Sequence, residues 1–198
     1  MIHTEQSPNI FLLRHGEDED NFNRTFNGRR DTPLTPHGRE QVTTLAQRIK
    51  EDRLDFVGIY TSPLKRASQT GEIVSVIAEQ PTPLVLTDLI ERDVGVLTGM
   101  TVSEAEKNYI GETFEHNGKV YFLNPEGGET FSDLRIRAEN VLHIIKSRHT
   151  EGNILLCAHK VSLAMVYAVF HDLPWEEALQ ACSLKNAELM LLKRPPSV

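Results

Sequence analysis

Phe11-Leu12-Leu13-Arg14-His15-Gly16-Glu17 is the stretch on which the reading of this chain turns. An apolar run over residues 10–13 stops abruptly at Arg-His-Gly. A buried strand that gives way to polar residues and a glycine is how an open α/β sheet presents chemistry at its carboxyl edge. An imidazole beside a guanidinium at such an edge pairs a nucleophile with an anion clamp. Phosphate is the anion that suits both.

Outward from this stretch, strands and helices alternate. Residues 9–13 read as a strand. Thr35-Pro36 has the form of a helix start, with Thr35 as N-cap and Pro36 in the first helical position. The segment that follows to Lys50 carries Val42, Leu45, Ala46 and Ile49 at helical spacing. Residues 56–61 form a second predicted strand. Ser62-Pro63 repeats the cap-plus-proline signal and predicts a helix to about residue 78. A short strand at 84–87 and a capping box at Thr101-Val102-Ser103-Glu104 come next. Residues 111–128, rich in Gly, Asn and Glu and weakly periodic, read as a lid or binding loop. Thr130 opens an amphipathic helix to about residue 149, with Leu134, Ala138, Val141, Leu142 and Ile145 on one face. Residues 153–158 are the most apolar strand. Helices at 160–170 and 175–181, a last strand at 184–192 and a frayed tail at 195–198 complete the reading.

This order implies an α/β fold, a three-layer α/β/α sandwich with a mainly parallel central sheet covered on both faces. Strand ends converge on one edge of such a sheet. Arg14-His15, Ser62 and His159, each following a strand, are therefore predicted to meet.

The 198 residues suit one domain, and 39% apolar with 25% charged residues is the balance of a water-soluble one. A net charge of -7 argues against a nucleic-acid partner, while a local arginine cluster can still dominate the field inside a cleft. No run reaches the roughly 20 apolar residues of a membrane span. The first six residues lack a basic region followed by an apolar stretch, so no secretory signal is read and a cytoplasmic location is expected. Cys157 and Cys182 have no metal-ligand spacing and read as inert core thiols.

Five pieces, in order, resemble the histidine phosphatase superfamily in its phosphoglycerate mutase-like branch. They are Leu13-Arg14-His15-Gly16-Glu17 with Asn21; Asn27-Gly28 leading to Pro33-Leu34-Thr35 and Gly38; Thr61-Ser62-Pro63-Leu64-Lys65-Arg66-Ala67 with Thr70; Leu89-Ile90-Glu91-Arg92 with Gly95 and Gly99; and Pro125-Glu126-Gly127-Gly128-Glu129-Thr130 with Ala158-His159. The resemblance implies a single domain of that family over residues 1–198, with a lid or specificity loop at 100–129. It implies His15 as the nucleophile, Arg14 and Arg66 as the phosphate clamp, His159 as the second histidine and Glu91 as the proton donor. It also implies that Asn21, Asn27 and Gly28 contact a small phosphorylated metabolite. No metal or other cofactor is expected, because guanidinium groups stand where a cation would.

The chemistry follows from the ester. Its oxygens repel a nucleophile, so they must be neutralised and the attacking atom held in line. Arg14 and Arg66 offer forked donors. A protonated His159 would add another, and Asn21 a neutral one. Neutral His15 attacks phosphorus, its other ring nitrogen held by a backbone carbonyl, that of Gly16 being one candidate. Glu91 protonates the leaving oxygen and then accepts a proton from water.

Blander readings stand beside these. Without the resemblance Glu17, Glu91 and Asp93 are equal candidates for the acid, and Glu17 has the alternative of bonding backbone near the nucleophile. Asp18, Glu19 and Asp20 read as a solvated loop. Lys65 and His37 read as surface, and His143 and His149 have no evident partner. Arg29 and Arg30 fit a solvated turn or an outer binding rim. Gly127-Gly128 fits a flexible turn or a close approach to ligand.

Three departures from the family pattern matter. Lys160 stands where the family has glycine; it either crowds the pocket or supplies a further phosphate-binding cation. Val94 replaces a tyrosine of the mutases. Residues 100–130 are short and carry Glu104, Glu106, Glu112, Glu115, Glu126 and Glu129 against Lys107 and Lys119. Such a segment is expected to admit water and to hold polyanions poorly, which favours hydrolysis of phosphomonoesters. The alternatives are a cofactor-dependent phosphoglycerate mutase and a non-catalytic phospholigand-binding relative. Physiological substrate and oligomeric state are not legible in the sequence.

Overall fold

The computed structural model describes residues 7–116 and 118–193. The segment read for a signal and the tail at 195–198 lie outside the described residues. Strand β1 (Asn9–Arg14) leads to a short helix α1 (Glu19–Asn23), helix α2 (Pro36–Glu51), strand β2 (Gly58–Thr61), helix α3 (Lys65–Ile77) and strand β3 (Leu84–Val85). Two 3-10 turns, Thr87–Leu89 and Gly95–Leu97, precede helix α4 (Val102–Asn108) and a hairpin of β4 (Thr113–His116) and β5 (Lys119–Phe122). Helix α5 (Phe131–Arg148), strand β6 (Asn153–Ala158), helices α6 (Lys160–His171) and α7 (Trp175–Ala181) and strand β7 (Leu189–Leu191) follow.

The main sheet has the order β3-β2-β6-β1-β7. Its first four strands run parallel and β7 is antiparallel on β1. The period of two along each strand divides the core. Leu12, Tyr60 and Leu156 point to the layer of α5, α6 and α7. Leu13, Ile59, Leu155 and Cys157 point to the layer of α2 and α3. Strand β6 lies between β1 and β2 and is buried from Ile154 to Ala158, which explains its unbroken apolar run.

Local signals set the helix starts. Thr35 Oγ1 accepts the Gly38 amide at 2.9 Å with Pro36 at the first position of α2. Thr101 with Glu104 and Thr130 with Asp133 form capping boxes for α4 and α5. Gly38 lets α2 press on the chain after β1, because a Cβ there would collide with the Glu17 carbonyl. Both cysteines are buried thiols, and the Cys157 pKa is pushed well up by burial.

Four expectations need correction. Helix α3 starts at Lys65 with Leu64 as N-cap, and Ser62 Oγ, bonded to His159 at 2.8 Å and accepting the Leu64 amide at 3.3 Å, lies one turn short of the helix. Residues 111–128 are not a plain loop: β4 and β5 pair antiparallel, Phe114 opposite Tyr121. The last strand is confined to Leu189–Leu191, since residues 184–188 turn inward to bond Arg14 and His15. Asp18 caps α1 and is fully buried, so residues 18–20 are not a solvated loop. Among the described residues no helix is long and apolar enough to cross a membrane.

Candidate active site

The convergence predicted at the sheet edge is present. The His15 amide donates to the Ala158 carbonyl at 3.0 Å and the Ser62 amide to the Cys157 carbonyl at 3.0 Å. These bonds join the ends of β1, β2 and β6, and the His15 and His159 rings stand 5.1 Å apart. Beside them opens a cleft of about 1010 Å³, lined by Arg14, His15, Asn21, Arg66, Glu91 and Lys160 among others.

His15 Nδ1 lies 2.6 Å from the Gly16 carbonyl. A carbonyl only accepts, so Nδ1 carries the proton and Nε2 keeps its lone pair. Burial, then Arg14 and Arg66, hold the His15 pKa well below 6.5, against the pull of the Gly16 carbonyl. The neutral form of the ring is therefore favoured.

Arg14 donates to the Leu184 carbonyl at 3.1 Å and to Asn21 Oδ1 at 3.4 Å, and among the described residues its buried Nε has no hydrogen-bond partner. Asn186, unremarked in the sequence, donates to the same Asn21 oxygen at 2.7 Å and to the His15 carbonyl at 3.1 Å. Two donors on Oδ1 leave the Asn21 amide nitrogen as the end able to donate.

Arg66 is 1% exposed, in the first turn of α3. It donates to the carbonyls of Arg30 at 2.6 Å and Gly28 at 3.0 Å, and to His159 Nδ1 at 3.1 Å. Asp18 Oδ2 lies 3.3 Å from its Nε. Burial lowers the Arg66 pKa, and Asp18 offsets this more than any other charge. The Asp18 carboxylate also accepts from the Asn21 amide, Thr32 and the Asn27 side chain, so it braces both the first loop and Arg66. Its N-cap position before Glu19-Asp20 was the sequence signal available for it. Gly28 holds a positive φ of 54° against Val94, and Val94 lines the cleft.

His159 departs from the expectation of a protonated donor. An Arg Nε can only donate, so His159 Nδ1 accepts and its Nε2–H donates to Ser62 Oγ at 2.8 Å. Both ring nitrogens are thus engaged, and burial followed by Arg66 pulls the pKa well below 6.5. The imidazole is neutral and orients Arg66.

Glu91 docks on the N-terminus of α6. Its Oε1 accepts the amides of Arg92 at 2.8 Å and Ser162 at 3.1 Å, and its Oε2 that of Val161 at 3.4 Å. Of the three candidate acids only Glu91 lines the cleft. Glu17 accepts from Thr35 at 2.9 Å, and Asp93 from the Gly95 amide at 2.9 Å.

Other expectations resolve around the rim. Arg29 pairs with Asp93 and Glu129, each at 3.5 Å, and Arg30 with Asp20 at 3.1 Å. Neither lines the cleft. Gly127 and Gly128 form a turn docked on Gly95, away from the cleft. His149 has a partner after all, the Tyr60 hydroxyl at 2.9 Å. Lys65 and His37 lie at the surface as read, paired with Asp31 and Glu40. Arg92, also missed as a structural element, is buried and donates to the carbonyls of Phe122, Leu123 and Glu129, tying the hairpin to α5. Among the described residues no group of three or more His, Cys, Asp or Glu gathers as a metal site would require.

Comparison with known proteins agrees with this geometry. A family model described as "Histidine phosphatase superfamily (branch 1)" matches residues 10–197. Fructose-2,6-bisphosphatase of Saccharomyces cerevisiae is 32% identical over 170 residues, 85% of this chain and 35% of that protein. The chain thus spans about a third of that relative's length. The 2,3-bisphosphoglycerate-dependent phosphoglycerate mutase of Brucella melitensis is 32% identical over 178 residues, 88% of this chain and 86% of the mutase. Among solved structures, Bacillus stearothermophilus YhfR superposes with a TM-score of 0.77 at 27% identity, covering 93% of this chain and 90% of its own.

Proposed function

The chain belongs to the histidine phosphatase superfamily, and on that premise we propose that it hydrolyses small phosphomonoesters through a phosphohistidine on His15. One observation carries the reading: His15 Nδ1 is tied to the Gly16 carbonyl at 2.6 Å, so a neutral Nε2 is presented in a cleft that also holds Arg14, Arg66 and Glu91. An in-line nucleophile beside fixed cations is what phosphoryl transfer requires.

In the first step His15 Nε2 attacks phosphorus while the ester P–O bond breaks. The leaving oxygen takes a proton from Glu91, whose Oε2 makes only one long contact, at 3.4 Å, and is the less tied of its two oxygens. In the second step water attacks the phosphohistidine, Glu91 takes the water proton, and the P–N bond breaks to return neutral His15. Arg14 and Arg66 keep N–H donors for the phosphoryl oxygens, with Asn21 as a neutral one. His159 acts as a positioning residue behind Arg66. The described body serves as one catalytic domain, with residues 100–129 walling the cleft and setting specificity. Ser103, Glu106 and Lys119 line that wall and are exposed, which supports water entry.

The Brucella mutase, similar along most of its own length, favours a second reading in which the phosphoryl group returns to a phosphoglycerate. Two assays separate them: phosphate release from an ester panel, and isomerisation of phosphoglycerate. Release at or above isomerisation supports the hydrolase. Isomerisation far outrunning release overturns it. A His15→Ala protein that turns over as fast as the natural one removes the mechanism altogether.

A further inference from the structure

We propose that Lys119 and Lys160 form a second anion subsite, so that the ester taken up carries a further carboxylate or phosphate on its alcohol part. This rests on the phosphomonoesterase reading and adds the class of substrate.

Lys160 is the first residue of α6, directly after His159, and its Nζ stands 5.5 Å from the centre of the Tyr121 ring. Lys119 and Tyr121 are two apart on β5, hence on one face of the hairpin, and both line the cleft together with Lys160, Arg14 and Arg66. Lys119 Nζ donates to the Ser183 hydroxyl at 3.2 Å. The Lys160 amine thus neighbours the Tyr121 ring and the Lys119 side chain, and among the described residues neither lysine forms an ion pair with a carboxylate. Of the carboxylates that line the cleft, Glu91 is bonded to backbone amides of α6 and Asp20 to Arg30, while Glu106 lies exposed on α4.

Two ammonium groups brought together without a counter-ion repel one another. Lys160 registers this, since burial, then Lys119, then Arg14, with Glu91 opposing, bring it down to about 7. An anion bound between the two lysines removes the repulsion and restores the proton. The first phosphate does not need them, because Arg14 and Arg66 already flank His15. The six glutamates that made the 100–130 segment look hostile to polyanions are mostly turned elsewhere: only Glu106 of them lines the cleft.

The test is equilibrium binding by titration calorimetry at pH 7, with propylphosphonate, 3-phosphonopropionate and propane-1,3-bisphosphonate as probes. At least one doubly anionic probe should bind about tenfold more tightly than propylphosphonate, the scale of one or two charge-assisted hydrogen bonds. Which one gains identifies carboxylate or phosphate as the second group. In a Lys119→Gln/Lys160→Gln protein the advantage should shrink to within about twofold. If that protein does not fold, Lys119→Gln alone, at an exposed position, should still halve the advantage or better. Equal binding of all probes by the natural protein, or an advantage that survives the substitutions, overturns the subsite. Loss of 4-nitrophenyl phosphate turnover with the binding pattern intact would fault the hydrolase reading instead.

Discussion

Arg66 donates its Nε–H to Nδ1 of His159 across 3.1 Å, and that single bond fixes the tautomer of a fully buried ring. The remaining His159 proton must sit on Nε2, where the Ser62 hydroxyl receives it at 2.8 Å. A cation that faces the cleft is thus oriented by a neutral relay reaching back to the end of β2.

Ser62→Ala should break this relay without touching the cleft. It leaves a buried N–H unsatisfied, which costs about 1–3 kcal/mol. For a chain of this size that lowers Tm by about 2–4 °C per kcal/mol. KM for an aryl phosphate should rise as Arg66 loosens, with kcat less affected. Calorimetric Tm and KM both unchanged would mean the relay carries no weight.

His15→Asn should reduce kcat by about 10⁴-fold or more, the scale seen when a nucleophile is deleted. Radiolabelled ester quenched during turnover should give an acid-labile adduct on the peptide holding residues 14–16 of the natural protein. A label on any other peptide would exclude His15.

Glu91→Gln should separate substrates by leaving group. An alkyl phosphate needs its departing oxygen protonated, so kcat should fall about 10²–10⁴-fold. A nitrophenyl ester needs little help and should lose far less. A parallel loss for both would remove Glu91 from the acid role.

Acid should destabilise the fold from a predictable point. His15 and His159 are held well below 6.5, chiefly by burial and then by the site arginines. Below 6.5 the unfolded chain binds protons that the folded chain refuses. The stability from these two rings is therefore complete above that pH and is lost as pH falls through it, by up to about 1.4 kcal/mol per pH unit for each ring. Unfolding in urea between pH 8 and 5 should show this slope, and His15→Asn should shed one ring's share. A profile flat down to pH 5 contradicts the burial argument.

Arg92→Met should free the hairpin. Its guanidinium bonds three carbonyls and lies 4.1 Å over the Phe131 ring. Loss of those bonds to a charged donor should destabilise the protein by about 2–4 kcal/mol. Amide hydrogen exchange in β5 should quicken before that in β6. Equal acceleration in both strands would mean the hairpin is not a separate unit.

How far the chain could be read in advance depended on the range of each signal. Thr35-Pro36, Thr101 and Thr130 act over one helical turn, and their helices start where the caps stand. The apolar runs at β1 and β6 are set by burial on both faces and were equally plain. The β4–β5 hairpin was missed, although Asn117-Gly118 between alternating residues is a hairpin signature, because the surrounding Gly and Glu obscured the alternation. Ser62 looked like a helix cap because its bond to His159 spans 97 positions. Asp18 looked solvated because its partners Asn27, Thr32 and Arg66 arrive from other segments.

Local chemistry along the chain set the alternation of strands and helices and the sheet edge on which polar residues gather, while His15, Arg14 and Arg66 were singled out by resemblance to the family. Folding in three dimensions settled which acid reaches the cleft, that His159 is neutral, and that Lys119 comes to stand beside Lys160. The physical reason is range. Caps and periodicity act between neighbours a few residues apart, whereas protonation and charge pairing depend on burial and on groups delivered from distant segments.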